Sequence, residues 1–283
     1  MDCFMFPGQP LERPVQLPDD PEFREIAAMV RSRACFDLAS FAWTGREETE
    51  NVKLQLYGAA MSLYRVRRLR REGLSPGIIA EHSMGIYAAM AAADSLSEEE
   101  ALELAFRIGC AAAQVGASGE YAIGCMVGLT LEPLLAIAGN NGVFLANHNT
   151  SRHFLLSGER LRMEEAVAEA VANGAFSART FPCDAPLHTP LMANAAGDIR
   201  TILADYRYRE PTVPLVSHID QNLLTAADLA GFMLRELELP VYWERTYYAL
   251  KARGVVRFVE VGAGNSLAKY NRWIESTTSP ENP

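Results

Sequence analysis

The chain of 283 residues carries 35 acidic against 26 basic side chains, a formal net charge of −9, and is 49% hydrophobic. That length and apolar content allow one large domain, or one with a smaller insertion, around a sizeable core, while the negative charge excludes broad nucleic-acid binding, which needs cationic surface to displace counterions. No stretch reaches the roughly 18 uninterrupted apolar residues of a membrane span. The cysteines Cys3, Cys35, Cys110, Cys125 and Cys183 are scattered without C-x-x-C spacing or nearby ligand histidines, which points to neither a disulfide framework nor a zinc site. The opening Met1-Asp2-Cys3-Phe4 lacks the basic-then-apolar order of a signal peptide, so a cytoplasmic location is expected.

In chain order, the apolar run Cys3 to Phe6 predicts a first strand, followed by helices over Pro21 to Ser40 and Asn51 to Arg71. A second strand, Gly77 to Ala80, runs into a helix from Met84 to Ala93. The next helix, Ser97 to Gln114, opens on Ser97-Glu98-Glu99-Glu100, the S-x-x-E form of a capping box. From Tyr121 to Cys183 the rhythm changes: strand Tyr121 to Leu129, helix Glu132 to Ala138, strands Val143 to Ala146 and His153 to Ser157, helix Arg160 to Ala172, strand Phe176 to Phe181. The order β-α-β-β-α-β is the ferredoxin-like pattern. A last strand is predicted over Val255 to Val261, and the tail from Thr277 to Pro283 reads as disordered. Runs without polar alternation suit strands buried on both faces, so an α/β fold with a parallel sheet is expected, with residues 1–118 and 184–283 forming the large domain and 119–183 a small inserted one.

The segment Gly77-Ile78-Ile79-Ala80-Glu81-His82-Ser83-Met84-Gly85 carries the strongest chemical signal. A strand passes through a serine straight into a helix, which is the setting of a nucleophile elbow, although Glu81 stands where G-x-S-x-G has its first glycine. A serine capping an ordinary helix is the other reading. A serine hydroxyl needs a base, and five histidines compete for that role. His82 is adjacent to Ser83, where side chains at a turn diverge; His148, His153 and His218 have nothing to single them out. His188 sits in Asp184-Ala185-Pro186-Leu187-His188-Thr189-Pro190, where two prolines stiffen the chain. Arg107 interrupts a helix apolar nearly all round, so its guanidinium needs a partner: either Glu103 one turn back or a substrate carboxylate. Arg65, Arg67, Arg68, Arg70 and Arg71 form a dense basic cluster, read either as a solvated helix face or as a dock for an acidic partner, with Val66 and Leu69 packing inward.

Taken together with Phe6-Pro7-Gly8-Gln9, Ala146-Asn147-His148-Asn149, Leu156-Ser157-Gly158, Ala185 to Met192, Pro240-Val241-Tyr242-Trp243 and Val259 to Gly264, these segments resemble the malonyl-CoA:acyl-carrier-protein transacylase family over almost the whole chain. The resemblance implies an α/β-hydrolase-like core with an inserted ferredoxin-like subdomain. It also implies a ping-pong transfer of a malonyl or related acyl group from CoA to the phosphopantetheine thiol of an acyl carrier protein. Ser83 would be acylated, His188 would be its general base, and the backbone N–H groups of Gln9 and Met84 would form the oxyanion hole. A backbone carbonyl near Glu236 would orient His188, Arg107 would hold the malonyl carboxylate, and Leu187 and His82 would border the substrate. No cofactor is implied, CoA entering only as part of the substrate. Three departures touch this picture: Glu81 in place of glycine, whose charge would oppose a dicarboxylic acyl group if it faced the pocket; Ile86 in place of a frequent glutamate; and Leu187, at a position tied to acyl selection. A thioester hydrolase on the same scaffold and a non-catalytic carrier-binding subunit remain as rival readings.

Overall fold

Strand β1 (Asp2–Phe6) shows how both faces of the main sheet are covered. Phe4 and Phe6 point into one core cluster and Cys3 and Met5 into another on the opposite side, as the period-two alternation of side chains requires. The computed structural model describes residues 1–10, 17–38, 51–117 and 119–278. β1 pairs in parallel with β2 (Ile78–Glu81) on one side and β9 (Arg257–Glu260) on the other, and β2 with β7 (Leu215–Val216), giving the order β7-β2-β1-β9. Helices α1 (Pro21–Ala34), α2 (Asn51–Arg71), α3 (Gly85–Ala92) and α4 (Glu98–Gly116) pack on the Phe4 and Phe6 face together with α7 (Ala196–Ala204) and α8 (Ala226–Glu236). On the other face lie α9 (Trp243–Ala252) and α10 (Ser266–Thr278).

The second sheet contains β3 (Tyr121–Val127), β4 (Phe144–Thr150), β5 (His153–Glu159) and β6 (Ser177–Cys183), with α5 (Leu131–Asn141) and α6 (Arg160–Ala172). Its order β6-β3-β5-β4 with antiparallel pairs is that of a ferredoxin-like sheet, inserted within the parallel α/β core. The short β8 (Val241–Tyr242), from the C-terminal part of the chain, extends this sheet by pairing parallel to β4. The two sheets are therefore tied together by chain from outside the insertion.

Several local signals act as expected. Ser97 Oγ accepts from the Glu100 N–H at 3.1 Å and the Glu100 carboxylate accepts from the Ser97 N–H at 2.7 Å, closing the capping box of α4. α1 stops at Ala34, short of the predicted Ser40, because Cys35 turns left-handed at φ 52°; residues 39 and 40 lie outside the described ones. The tail expected to be disordered lies outside them from residue 279 onward, whereas Thr277 and Thr278 close α10. Among the described residues no helix is long and apolar enough to cross a membrane.

The arginine cluster near the end of α2 is largely neutralised. Arg67 pairs with Glu98 and, at 2.9 Å, with Glu25; Arg71 pairs with Glu22 at 2.5 Å; Arg70 donates to the Ala92 carbonyl at 2.7 Å and Arg68 to the Tyr64 hydroxyl at 3.3 Å. Val66 and Leu69 are buried beneath them.

Candidate active site

β2 delivers the chain to a turn that only some backbones can make. Ser83 sits there at φ 56°, in the left-handed region that a side chain disfavours. Backbone strain of about 1–3 kcal/mol at such a residue persists only when the surroundings fix it. The fixing contacts are the His82 N–H to the Phe6 carbonyl at 2.9 Å and the Gly85 and Ile86 N–H groups to the His82 and Ser83 carbonyls at 3.1 and 3.0 Å. Gly85 must be glycine, because a Cβ there would strike the Phe6 carbonyl.

His188 approaches from the far side of the chain, 105 positions away, and its Nε2 lies 2.7 Å from Ser83 Oγ. It too is left-handed, at φ 62°. Its own N–H is held by the Leu237 carbonyl at 2.8 Å, and Thr189 Oγ1 donates to the Pro186 carbonyl at 2.6 Å, so the loop between the two prolines is tied down. The ring's Nδ1 donates to the Glu236 carbonyl oxygen at 2.6 Å. That bond places the proton on Nδ1 and leaves the Nε2 lone pair facing the serine hydroxyl, the tautomer a general base needs. Burial, then the neighbouring His218, lowers the His188 pKa to about 3, so the ring is neutral across the physiological range.

Ser83, His188 and Leu187 line one cavity with Gln55, Met84, Tyr87, Ile108, Gly109, Ala112, Glu236 and Leu237, bordering about 280 Å³ of atom-free space, open solvent at its mouth included. The loop after β1 passes beside it: a Cβ on Gly8 would meet His82 Nδ1 at 2.8 Å, and Pro10 and Met84 both lie against Gly58. Gln9 follows Gly8 and precedes Pro10 in this loop, and Met84 begins the turn into α3.

Two predicted substrate contacts are corrected. Arg107 does not line the cavity. Its guanidinium turns to Asp205 at 2.6 Å and to the Tyr206 hydroxyl at 3.4 Å, with the Tyr206 ring centroid at 5.6 Å. Its neighbours Ile108 and Gly109 face the cavity instead, because each step along a helix rotates a side chain by about 100°. Nor is Glu103 its partner; Glu103 reaches Arg33 at 3.4 Å. His82 also stands outside the cavity wall and spans to the second sheet. Its Nε2 lies 2.9 Å from Asn149 Oδ1, Asn149 Nδ2 lies 3.0 Å from His153 Nδ1, and His153 Nε2 lies 3.5 Å from Cys125 Sγ.

A buried polar group behind His188 was not legible beforehand. Glu81, fully buried, turns away from the cavity and places both carboxylate oxygens within 2.9 Å of His218 Nδ1, while one also accepts from the His218 N–H at 3.1 Å. Burial raises the Glu81 carboxyl pKa and lowers that of the His218 ring to about 3. The pair therefore holds one proton and carries no net charge wherever that proton sits. Glu236 is buried beside it, its carboxyl pushed well above the usual range by desolvation and then by Glu81. His188, His218 and Glu236 offer donor atoms within 4.8 Å of one another. A metal ion there would compete with His188's bonds to Ser83 and to the Glu236 carbonyl, because both ring nitrogens are already engaged. The fully buried Glu81 and Glu236, in a chain otherwise acidic at its surface, are visible in sequence only as ordinary carboxylates.

A family model described as "Acyl transferase domain" matches residues 39–271. A malonyl CoA-acyl carrier protein transacylase of Escherichia coli strain K12 is 29% identical over 288 residues, covering 97% of this chain and 93% of that protein. One of Bacillus subtilis strain 168 is also 29% identical, over 221 residues, covering 75% and 70%. Among solved structures, a malonyl-transacylase in complex with its type II PKS acyl-carrier protein superposes with a TM-score of 0.90 at 25% identity, covering 98% of this chain and 93% of that one. A malonyl CoA-acyl carrier protein transacylase from Coxiella burnetii gives 0.90 at 27%, covering 97% and 91%. A match to the family model over most of its length, a serine held on a strand-to-helix turn and a histidine at hydrogen-bond distance from it place this chain in the acyl transferase domain family.

Proposed function

We propose that this chain is an acyltransferase that moves a malonyl or related acyl group from CoA to the phosphopantetheine thiol of an acyl carrier protein through an acyl-Ser83 ester. The observation that carries the reading is the 2.7 Å contact between Ser83 Oγ and His188 Nε2, with the opposite ring nitrogen donating to the Glu236 carbonyl. In the first half-reaction Ser83 Oγ attacks the thioester carbon while His188 Nε2 takes the hydroxyl proton. The C–S bond then breaks and the proton passes to the departing CoA thiolate. In the second half the carrier thiol gives its proton to the same nitrogen and attacks the ester carbon, the bond from that carbon to Ser83 Oγ breaks, and the proton returns from Nε2 to Oγ. The Gln9 and Met84 N–H groups are assigned the oxyanion, a role in which losing one donor costs about 3–4 kcal/mol of transition-state stabilisation. The carrier partner follows from the relatives, which are named for it.

Hydrolysis is the second reading, and one observation favours keeping it: Arg107, whose presence argued for transfer of a dicarboxylic acyl group, faces Asp205 and not the cavity. Steady-state kinetics with acyl-CoA and holo carrier protein decide between them. Transfer predicts parallel double-reciprocal lines and an acyl-carrier product that vanishes in Ser83→Ala. Release of free acid at the same rate with or without carrier would establish the hydrolase instead.

A further inference from the structure

On α4 residue 107 faces away from the cavity that residues 108 and 109 border. Ile108 and Gly109, with Ala112 one turn on, form a wall of the cavity, while Arg107 is held outside by Asp205 and Tyr206. The rest of the wall is Gln55, Met84, Tyr87, Leu187 and Leu237 around Ser83, His188 and Glu236. Among the described residues that line it there is no lysine or arginine, and the ionisable groups apart from the base, Tyr87 and Glu236, offer no positive charge. An acyl group on Ser83 projects into this space. A malonyl group would bring its carboxylate against isoleucine, alanine and leucine with no cation to pair it, and a buried unpaired carboxylate is strongly disfavoured. An uncharged acyl chain meets the same wall without that cost. The space is also small: the room it encloses is about 10 Å³, no more than one water needs.

We infer that the acyl group selected by this cavity is short and uncharged, of the acetyl to butyryl class, in preference to malonyl, and that Ile108 is the residue that sets the choice. The inference rests on the acyl-serine reading above and narrows its donor. The bond made is Ser83 Oγ to the acyl carbon and the bond broken is that carbon to the CoA sulfur, so only the substituent on the acyl carbon differs between donors.

The test offers acetyl-, propionyl-, butyryl- and malonyl-CoA separately, at equal concentration, to the wild type, Ile108→Arg, Arg107→Ala and Ser83→Ala. CoA release and the intact-mass adduct are followed in time. The wild type is expected to load at least one uncharged acyl group about ten-fold or more faster than malonyl. Arg107→Ala should keep that ratio, since its guanidinium is outside the cavity. Ile108→Arg, folded by circular dichroism, should shift the ratio toward malonyl. Malonyl loading of the wild type as fast as the best uncharged donor, or a loss confined to malonyl in Arg107→Ala, would overturn the inference while leaving the acyl-serine reading intact. A folded Ile108→Arg with an unchanged ratio would overturn the assignment to Ile108, and the wild-type comparison stands even if that variant does not fold. Absence of both CoA release and adduct with every donor would remove the acyl-serine reading itself, and the inference with it.

Discussion

Ser83 and His188 both occupy left-handed backbone, and each is fixed there by neighbours from a different part of the chain. The chemistry depends on which nitrogen of His188 is bare, and the Glu236 carbonyl decides that. Because burial lowers the His188 pKa to about 3, the ring is already the free base at neutral pH, and protonation removes it only as the pH falls toward that value. The loading rate, measured as kcat/KM for the acyl-CoA, is therefore expected to stay flat from pH 8 down to about 5; an acid limb centred near 6.5 would show that the ring titrates as if exposed. Glu81 supports a different prediction. Replacing it by Ala leaves the neutral His218 ring with Nδ1 unpartnered in a fully buried site, at a cost of about 1–3 kcal/mol in the urea unfolding free energy. The residue-level signals of the site were legible where chemistry and sequence adjacency coincide, as in Glu81 to Gly85 and Ala185 to Pro190. The Glu81–His218 pair was not, because its members are 137 positions apart.

At the scale of elements, α4 shows where periodicity stops informing. A helix apolar nearly all round has no polar stripe to mark its outer side, so the sequence does not say whether position 107 or 108 meets the cavity. One residue of helical phase reverses the reading, and the observed phase puts the cation outside. The arginines of α2 show a related limit: Arg67 and Arg71 take partners Glu22, Glu25 and Glu98 from other helices, which the local sequence does not announce. By contrast the ferredoxin-like segment was legible throughout, because each of its strands and helices is bounded by its own local pattern. The join between the two sheets is long-range again, and the His82–Asn149–His153 chain is part of it. Asn149→Leu should leave both histidines short of a partner and lower the unfolding free energy by about 1–3 kcal/mol, with denaturation followed by near-ultraviolet circular dichroism. An unchanged midpoint would mean the chain of side chains contributes nothing to the join.

For the whole molecule, buried histidines set the response to acid. Burial lowers His82 and His153 to about 4 and His188 to about 3, all below the ordinary value of 6.5. Their contribution is fully present above 6.5 and is lost as the pH falls toward the folded values, since the unfolded chain takes up protons that the folded one refuses. Glu236, raised in the folded state, acts in the opposite direction, and the Glu81–His218 pair holds one proton throughout. Three histidines less one carboxyl leave a net loss on the order of 2–3 kcal/mol per pH unit at most between pH 6.5 and 4.5, so the urea midpoint should be lower at pH 5 than at pH 7. A higher midpoint at pH 5 would contradict this balance. The most direct test of the account as a whole is peptide mapping after brief incubation with an acyl-CoA and acid quench. The acyl mass should reside on Ser83, be absent from Ser83→Ala and fall by orders of magnitude in His188→Asn; an acyl group found on another residue, or loading undiminished in His188→Asn, would contradict it.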